Sequence, residues 1–168
     1  TKLSHLHFTT NEQATNRILG MGEEPWRVHT VGFPAIDLIE EGRYADSNKV
    51  VSALNLSLDK PIVLFTQHSV TTEFQRAADQ VTESLIAMVR LADAGYQIIL
   101  TYPNNDAGGQ QIVDRLKQTA TLQHKNIQLH RSLGQHLYHG VLALAGDART
   151  SVVCAGNSSS GLKETPAF

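Results

Sequence analysis

Three short polar segments of this 168-residue chain each follow a run of apolar residues and carry side chains that bind phosphate or move protons. The segment QHSVTT contains His68, and a histidine there can donate to a phosphate oxygen or transfer a proton near neutral pH. The segment YPNNDAGG contains Asn104, and the segment GNSSSGLKE contains Ser158, Ser159 and Glu164. These residue types together indicate a site for a phosphorylated ligand that also carries sugar hydroxyls.

The last segment has the most specific arrangement. The apolar strand TSVVCA ends in a Gly-Asn turn, and a helix is predicted to begin near Gly161. A helix N-terminus attracts phosphate through its free N–H groups and its dipole, and residues 158–160 add hydroxyl donors. Glu164, one turn into the helix, suits vicinal hydroxyls such as those of a ribose. The same spacing fits plain helix capping, with serine N-caps and a capping box closed by Glu164, so the pattern alone leaves both interpretations open.

His68 and Asn104 also have simple alternatives. A histidine after a strand is often a solvent-facing loop residue, and Asn104, Asn105 and Asp106 before two glycines form an ordinary helix-capping turn. Position favours a site, because ligands of open α/β sheets bind at the carboxyl ends of the strands. All three polar loops are predicted to reach that edge.

The elements that position these loops alternate between strand and helix. Six β-rich runs are predicted as strands: 5–10, 27–32, 61–67, 96–100, 126–130 and 150–156. Several are continuously apolar, which is typical of a parallel sheet covered on both faces. Four strands alternate with three helices from residue 61 onward, which predicts an α/β fold, a Rossmann-like three-layer parallel sheet.

Helix ends and domain limits can also be predicted. Asn11 is the expected N-cap of the first helix, and Gly95 is the expected C′ residue of the long helix after residue 73. The apolar stripe of that long helix is predicted to comprise Phe74, Ala78, Val81, Leu85, Met88 and Ala92. We interpret the chain as part of a longer protein, with these segments: 1–40, the tail of one α/β domain; 41–60, a helical linker; and 61–168, most of a second domain.

Composition argues against several functions. A net charge of −2 and a pI near 6.4 provide no basic surface for nucleic acid or an anionic membrane, and no apolar run has the length of a membrane span. The single cysteine, Cys154, allows no internal disulfide and fits a reducing cytoplasm. No metal site is expected, because two histidine pairs lack further partners at ligand spacing: His5 with His7, and His136 with His139.

Four blocks of the sequence resemble the UDP-N-acetylglucosamine 2-epimerase family, in its hydrolysing branch. They are TKLSHLHFTTNEQATNRILGMGE with RVHTVGFPAIDLI, then QHSVTT, then YPNNDAGG, and finally SLGQHLY followed by GNSSSGLKETPAF. The blocks span nearly the whole chain in the family's order. The GNSSSGxxE turn is the most specific of them, since the non-hydrolysing branch tends to an Asp-Ser-Gly-Gly turn at this place.

The resemblance implies a two-domain fold of glycosyltransferase-B type, of which this chain would hold the end of the N-terminal domain and most of the C-terminal, nucleotide-binding domain. The family converts a UDP-linked N-acetylglucosamine-type sugar to its 2-epimer and releases UDP, by elimination to a glycal-like intermediate and addition of water. This chemistry needs no metal or nicotinamide cofactor. Its product supplies sialic or related nonulosonic acid synthesis, and the intact proteins are commonly dimers or tetramers.

The resemblance also assigns residues. His68 corresponds to the family's active-site histidine near the departing diphosphate, where it stabilises or protonates the leaving group. The corresponding substrate-binding positions are Ser158 and Ser159 for phosphate, Glu164 for the ribose, Asn104 for the nucleotide and, through its main chain, Arg131 for uracil.

Two parts of the family pattern are missing from this sequence: the catalytic carboxylates of the N-terminal domain and the Arg-Gln…Gly-Arg segment after GNSSSGxxE. By itself the chain is therefore expected to be inactive, to bind nucleotide weakly at most, and to expose apolar surface that favours self-association. Three alternatives stay open: a hydrolysing 2-epimerase for UDP- or GDP-linked diacetamido sugars, a retaining glycosyltransferase, and a non-catalytic nucleotide-sugar-binding domain.

Overall fold

The computed structural model describes residues 2–120 and 124–168. The chain divides into two compact units, Thr1–Gly42 and Arg43–Phe168. The described residues of the first unit include two parallel strands, β1 (His7–Thr9) and β2 (Val28–Thr30), and two α-helices, α1 (Glu12–Gly20) and α2 (Pro34–Glu40). Helix α1 begins as predicted, because the side chain of Asn11 accepts a hydrogen bond from the backbone N–H of Ala14 at 2.9 Å.

The second unit is built on a four-stranded sheet in which every neighbouring pair is parallel, with the strand order β5-β4-β3-β6. Its strands are β3 (Ile62–Thr66), β4 (Gln97–Thr101), β5 (Ile127–His130) and β6 (Val152–Gly156). The chain adds β4 and β5 on one side of β3 and then places β6 on the other. The strand order therefore reverses at β3, which is where sheets of this class bind ligands.

Helices cover both faces of this sheet. The long helices of the second unit are α3 (Ser47–Leu54), α4 (Ala77–Asp93), α5 (Gly109–Ala120) and α6 (Gly134–Ala143). Alternate residues of β3 point to opposite faces: Val63 and Phe65 pack with α4 and α5, whereas Ile62 and Leu64 pack with α3 and α6. The prediction of a Rossmann-like three-layer α/β fold is confirmed.

Helix α4 begins later than the apolar pattern predicts. Phe74 lies in a 3-10 segment (Thr71–Arg76) and is 39% exposed, so its predicted place in the buried stripe is wrong. The backbone of Glu73 is non-helical, which breaks the helical phase before Ala77, and Ala77 is fully buried in place of the predicted Ala78. The other predicted stripe residues are buried: Val81, Leu85, Met88 and Ala92. The helix ends at Asp93 with Ala94 as its C-cap, and the next residue, Gly95, has a φ of 96° as expected for a C′ residue.

Residues 43–60, most of the segment interpreted as a linker, pack within the second unit. Helix α3 buries Val50 and Leu54 against α6, and Ala45 is 2% exposed. This contact needs a glycine on α6, because a Cβ on Gly140 would lie 2.7 Å from the carbonyl oxygen of Ala45. The domain limits of the whole protein stay a prediction.

Candidate functional site

The carboxyl ends of the four parallel strands lie along one edge of the sheet, and the segments that follow them contain all six predicted site residues. The loops after β3, β4, β5 and β6 contain, in that order, His68, Asn104, Arg131, and Ser158 with Ser159. Glu164 follows directly after a single-turn helix, α7 (Ser160–Lys163). The sheet topology therefore brings the predicted residues to one side of the second unit, although not into one cavity.

His68 is fixed by hydrogen bonds from the loops after two neighbouring strands. Its backbone N–H donates to Oδ1 of Asn157 at 2.7 Å, and Nδ2 of Asn157 donates to the carbonyl oxygen of His68 at 3.0 Å. The backbone N–H of Asn104 donates to Nδ1 of the imidazole at 3.0 Å. Because Nδ1 accepts, the neutral ring carries its proton on Nε2, and Nε2 is the nitrogen that can donate to a ligand.

Two further contacts brace the loops after β3 and β4. The hydroxyl of Ser69 donates to the carbonyl oxygen of Ala107 at 2.5 Å. The side chain of Asn104 is engaged within its own turn, since its Nδ2 donates to Oδ2 of Asp106 at 2.6 Å. Asn104 therefore acts on His68 through its main chain, and its predicted contact with a nucleotide stays a prediction.

His68, Asn104 and Arg131 line one cavity of about 1180 Å³. Small-molecule sites usually measure about 300–1,000 Å³, so this cavity has room for a nucleotide. Its lining also includes Tyr102, Asp106, Gln110, Val113, Lys117 and Ser132. The lining carries two cations, Lys117 and Arg131, against one carboxylate, Asp106, and this balance of charge favours an anionic ligand. Lys117 was not among the predicted site residues, because it lies near the end of α5 rather than in a loop after a strand.

Ser158, Ser159 and Glu164 lie beside this cavity's loops but do not line it. Helix α7 has only four residues, so the dipole at its N-terminus is small and the serine hydroxyls would have to provide most of any phosphate binding. Ser159 occupies the N-cap position without a side-chain capping bond, and its hydroxyl has no hydrogen-bond partner among the described residues. The capping box is not formed either. Glu164 instead accepts from the hydroxyl of Ser160 at 2.9 Å and lies 3.1 Å from Nε2 of His139.

The turn before the serines requires a glycine. Gly156 has a φ of 121°, and a Cβ there would lie 1.9 Å from the carbonyl oxygen of Thr66. The next residue, Asn157, donates its backbone N–H to the same oxygen at 3.2 Å. This close approach of β6 to β3 brings the side chain of Asn157 to His68. Sequence reasoning treated Asn157 only as a turn residue, and its position directly after a strand was the available signal.

Two neighbouring polar side chains of α6, Tyr138 and His139, are partly or fully buried. His139 of α6 is 1% exposed, and the hydroxyl of Tyr138 lies 3.7 Å from the sulfur of Cys154. Burial raises the pKa of the Tyr138 hydroxyl well above its ordinary value.

Across residues 2–120 and 124–168, no three His, Cys, Asp or Glu side chains are grouped so as to hold a metal ion. In the same residues, no helix has both the length and the apolar character needed to cross a bilayer.

Comparison of the sequence with known proteins identifies relatives of this chain. The model of a family described as UDP-N-acetylglucosamine 2-epimerase matches residues 1–168. A UDP-N-acetylglucosamine 2-epimerase of Neisseria meningitidis is 31% identical over 168 residues, which cover 99% of this chain and 41% of that protein.

Two other relatives carry names that specify hydrolysis. A GDP/UDP-N,N'-diacetylbacillosamine 2-epimerase (hydrolyzing) of Campylobacter jejuni is 30% identical, with 99% of this chain and 41% of that protein covered. A UDP-N,N'-diacetylbacillosamine 2-epimerase (hydrolyzing) of Legionella pneumophila is 29% identical with the same two coverages, 99% and 41%. The chain thus spans about two fifths of the length of the curated relatives that it matches.

Proposed function

Because this chain belongs to the UDP-N-acetylglucosamine 2-epimerase family, we propose that the whole protein is a hydrolysing 2-epimerase, which converts UDP-N-acetylglucosamine to N-acetylmannosamine and UDP. One observation carries the proposal. The imidazole of His68 lines a nucleotide-sized cavity and accepts at Nδ1 from the backbone of Asn104, and the residue that holds the His68 backbone, Asn157, belongs to the GNSSSG turn.

The reaction needs the bond between carbon 1 of the sugar and the UDP oxygen to break while carbon 2 loses its proton. The electron pair left at carbon 2 forms the double bond to carbon 1, and UDP departs with the electron pair of the broken bond. His68 donates from Nε2 to the departing diphosphate as its charge develops. Water then adds its hydroxyl to carbon 1, and a proton adds to the opposite face of carbon 2. We assign the base that removes the first proton to no residue of this chain.

The other five residues bind the nucleotide in this proposal. Ser158 and Ser159 bind phosphate oxygens through their hydroxyls, and Glu164 accepts hydrogen bonds from the ribose. Asn104 and the main chain of Arg131 contact the nucleotide from the neighbouring loops. Lys117 adds positive charge to the cavity that Arg131 also lines, which favours a diphosphate over a neutral sugar.

A second candidate substrate is a UDP- or GDP-linked diacetamido sugar. The names of the Campylobacter and Legionella relatives support it, since both specify diacetylbacillosamine and hydrolysis. The residues assigned above contact nucleotide and phosphate, so both substrates use the same machinery. In either case we place the protein in sialic or related nonulosonic acid synthesis, in the cytoplasm and as a homo-oligomer.

The proposal is tested by incubating the whole protein in D2O and following the products by NMR. Three nucleotide sugars are compared: UDP-N-acetylglucosamine, a UDP-linked diacetamido sugar and a GDP-linked diacetamido sugar. For the substrate that is consumed, the expected result is its free nucleoside diphosphate and a free 2-epimerised sugar with one deuteron at carbon 2. The variant His68→Asn should lower turnover by about 100-fold or more while the protein still binds UDP. If the product remains attached to UDP, or if none of the three nucleotide sugars is consumed, the hydrolysing assignment is wrong.

A further inference from the structure

A buried histidine contacts the glutamate that we assign to the ribose. Nε2 of His139 lies 3.1 Å from Oε2 of Glu164, and the hydroxyl of Ser160 donates to the same oxygen at 2.9 Å. The His139 side chain is 1% exposed and the Glu164 side chain is 21% exposed. The Glu164 side chain is therefore partly exposed, and both contacts are made to its Oε2.

The imidazole has little freedom to move. Its ring packs against the edge of Phe168, with 5.6 Å between ring centroids, and lies 6.3 Å from the ring of Tyr138. The neighbouring Gly140 sits so close to Ala45 that a Cβ would lie 2.7 Å from a carbonyl oxygen, which fixes this turn of α6. A rigid backbone and a closely packed ring together give Nε2 a defined position.

The chemistry of the pair decides the direction of the bond. An ionised carboxylate only accepts, so His139 donates from Nε2 and Ser160 donates from its hydroxyl. Oε1 of Glu164 has no hydrogen-bond partner among the described residues, which leaves it for a ligand. A glutamate without these donors would sample several rotamers, and a ligand would have to order it on binding.

The other ring nitrogen of His139 lowers the stability of the fold. Nδ1 of His139 is buried and has no hydrogen-bond partner within the described part of the chain. A buried polar atom without a partner lowers stability, and an apolar side chain of similar size would avoid this loss. Because histidine at this position lowers stability through Nδ1, we infer that its function lies in the contact of Nε2 with Glu164.

We propose that His139 is a positioning residue for Glu164. It holds Oε2 in place so that Oε1 meets the ribose hydroxyls, and it thereby lets the site distinguish a ribonucleotide from a nucleotide without those hydroxyls. This inference rests on the proposed function, specifically on Glu164 as the ribose ligand.

The test compares UDP with 2′,3′-dideoxy-UDP by calorimetry on the whole protein. The wild type should bind UDP more tightly than the dideoxy nucleotide. In His139→Asn the amide is too short to reach Oε2, so UDP affinity should fall about tenfold while affinity for the dideoxy nucleotide stays unchanged. His139→Gln can place its amide nitrogen near the position of Nε2 and should keep most of the discrimination.

Two controls separate positioning from general damage. His136→Gln changes an exposed histidine of the same helix, which pairs with Lys49, and should leave both affinities unchanged. Thermal unfolding of each variant confirms that it is folded. If His139→Asn weakens both nucleotides equally, or if Asn and Gln behave alike, His139 has a structural role only and the inference is overturned. If the wild type does not bind UDP, the proposed nucleotide site itself is wrong. If the wild type binds UDP and 2′,3′-dideoxy-UDP equally well, only the proposed roles of Glu164 and His139 are wrong.

Discussion

At the scale of single residues, the site depends on the side chain that holds its histidine. The side chain of Asn157 makes two hydrogen bonds to the backbone of His68, at 2.7 and 3.0 Å. Replacing it with alanine should let the His68 loop shift, and small displacements of a catalytic group reduce rate strongly. We expect Asn157→Ala to lower turnover by about tenfold or more in the whole protein, with a smaller effect on UDP affinity.

Steady-state kinetics and UDP calorimetry check this prediction. Asn48→Ala is the matched control, because Asn48 is an exposed residue of α3. A normal turnover number in Asn157→Ala would contradict the role of Asn157.

Asn157 also shows which parts of the site could be predicted from the sequence and which could not. Strand ends followed by polar residues predicted which loops meet at the sheet edge, because parallel strands share one direction. The partners of His68 could not be predicted, since the contact between Asn157 and His68 depends on the spatial order of β3 and β6. Lys117 and His139 were missed for the same reason, because only the packing of helices on the sheet places them. The roles of the six predicted site residues stay predictions.

A second residue-scale prediction concerns pH. Burial lowers the pKa of His130, whose Nε2 lies 3.1 Å from Oε1 of Gln128 at the end of β5. The unfolded chain therefore takes up this proton at higher pH than the folded one. The contribution of His130 to the free energy of unfolding is fully present above its ordinary pKa of 6.5 and is lost as the pH falls below that value.

Melting temperatures of the whole protein between about pH 8 and about pH 5 measure this effect. His130→Gln, which does not titrate, should show a shallower loss of stability towards acid. The neighbouring variant Arg131→Gln controls for a change in local charge. A variant His130→Gln with the same acid slope as the wild type would disprove the contribution.

At the scale of elements, the junction between β6 and the serine turn should tolerate substitution least. In Gly156→Ala, the new Cβ would meet the carbonyl oxygen of Thr66 at 1.9 Å, and the φ of 121° is strained for alanine. We expect the free energy of unfolding to fall by about 3 kcal/mol or more. Gly161→Ala is the matched control in the same segment, because nothing lies within 4 Å of its Cβ, and its effect should stay within about 1 kcal/mol.

Chemical denaturation measures both glycine variants. Equal stability of Gly156→Ala and Gly161→Ala would show that β6 does not approach β3 as described.

Two helix boundaries could not be predicted from the sequence. The pattern of apolar residues predicted α4 but not the kink at Glu73, and it predicted a helix after the serines but not its end after Lys163. Both depend on backbone angles of single residues, which apolar periodicity does not report.

At the scale of the whole molecule, the second unit accounts for the nucleotide half of the proposed site. The predicted alternation of strands and helices was sufficient for its three-layer fold, because continuous apolar strands need helices on both faces. The packing of residues 43–60 within this unit was not predicted. It depends on the burial of Val50 and Leu54 against α6 and on the close contact of Ala45 with Gly140, neither of which is evident from the mostly polar composition of the segment.

Hydrogen exchange of the whole protein, with and without saturating UDP, tests the central claim most directly. The claim is that UDP binds at the carboxyl edge of the second unit's sheet. UDP should slow exchange in four segments, 67–70, 102–109, 131–134 and 156–164, and leave helix α3 unchanged. If protection instead falls on other segments, or if UDP protects none of these four, the nucleotide site does not lie where the structure and the family resemblance lead us to propose it.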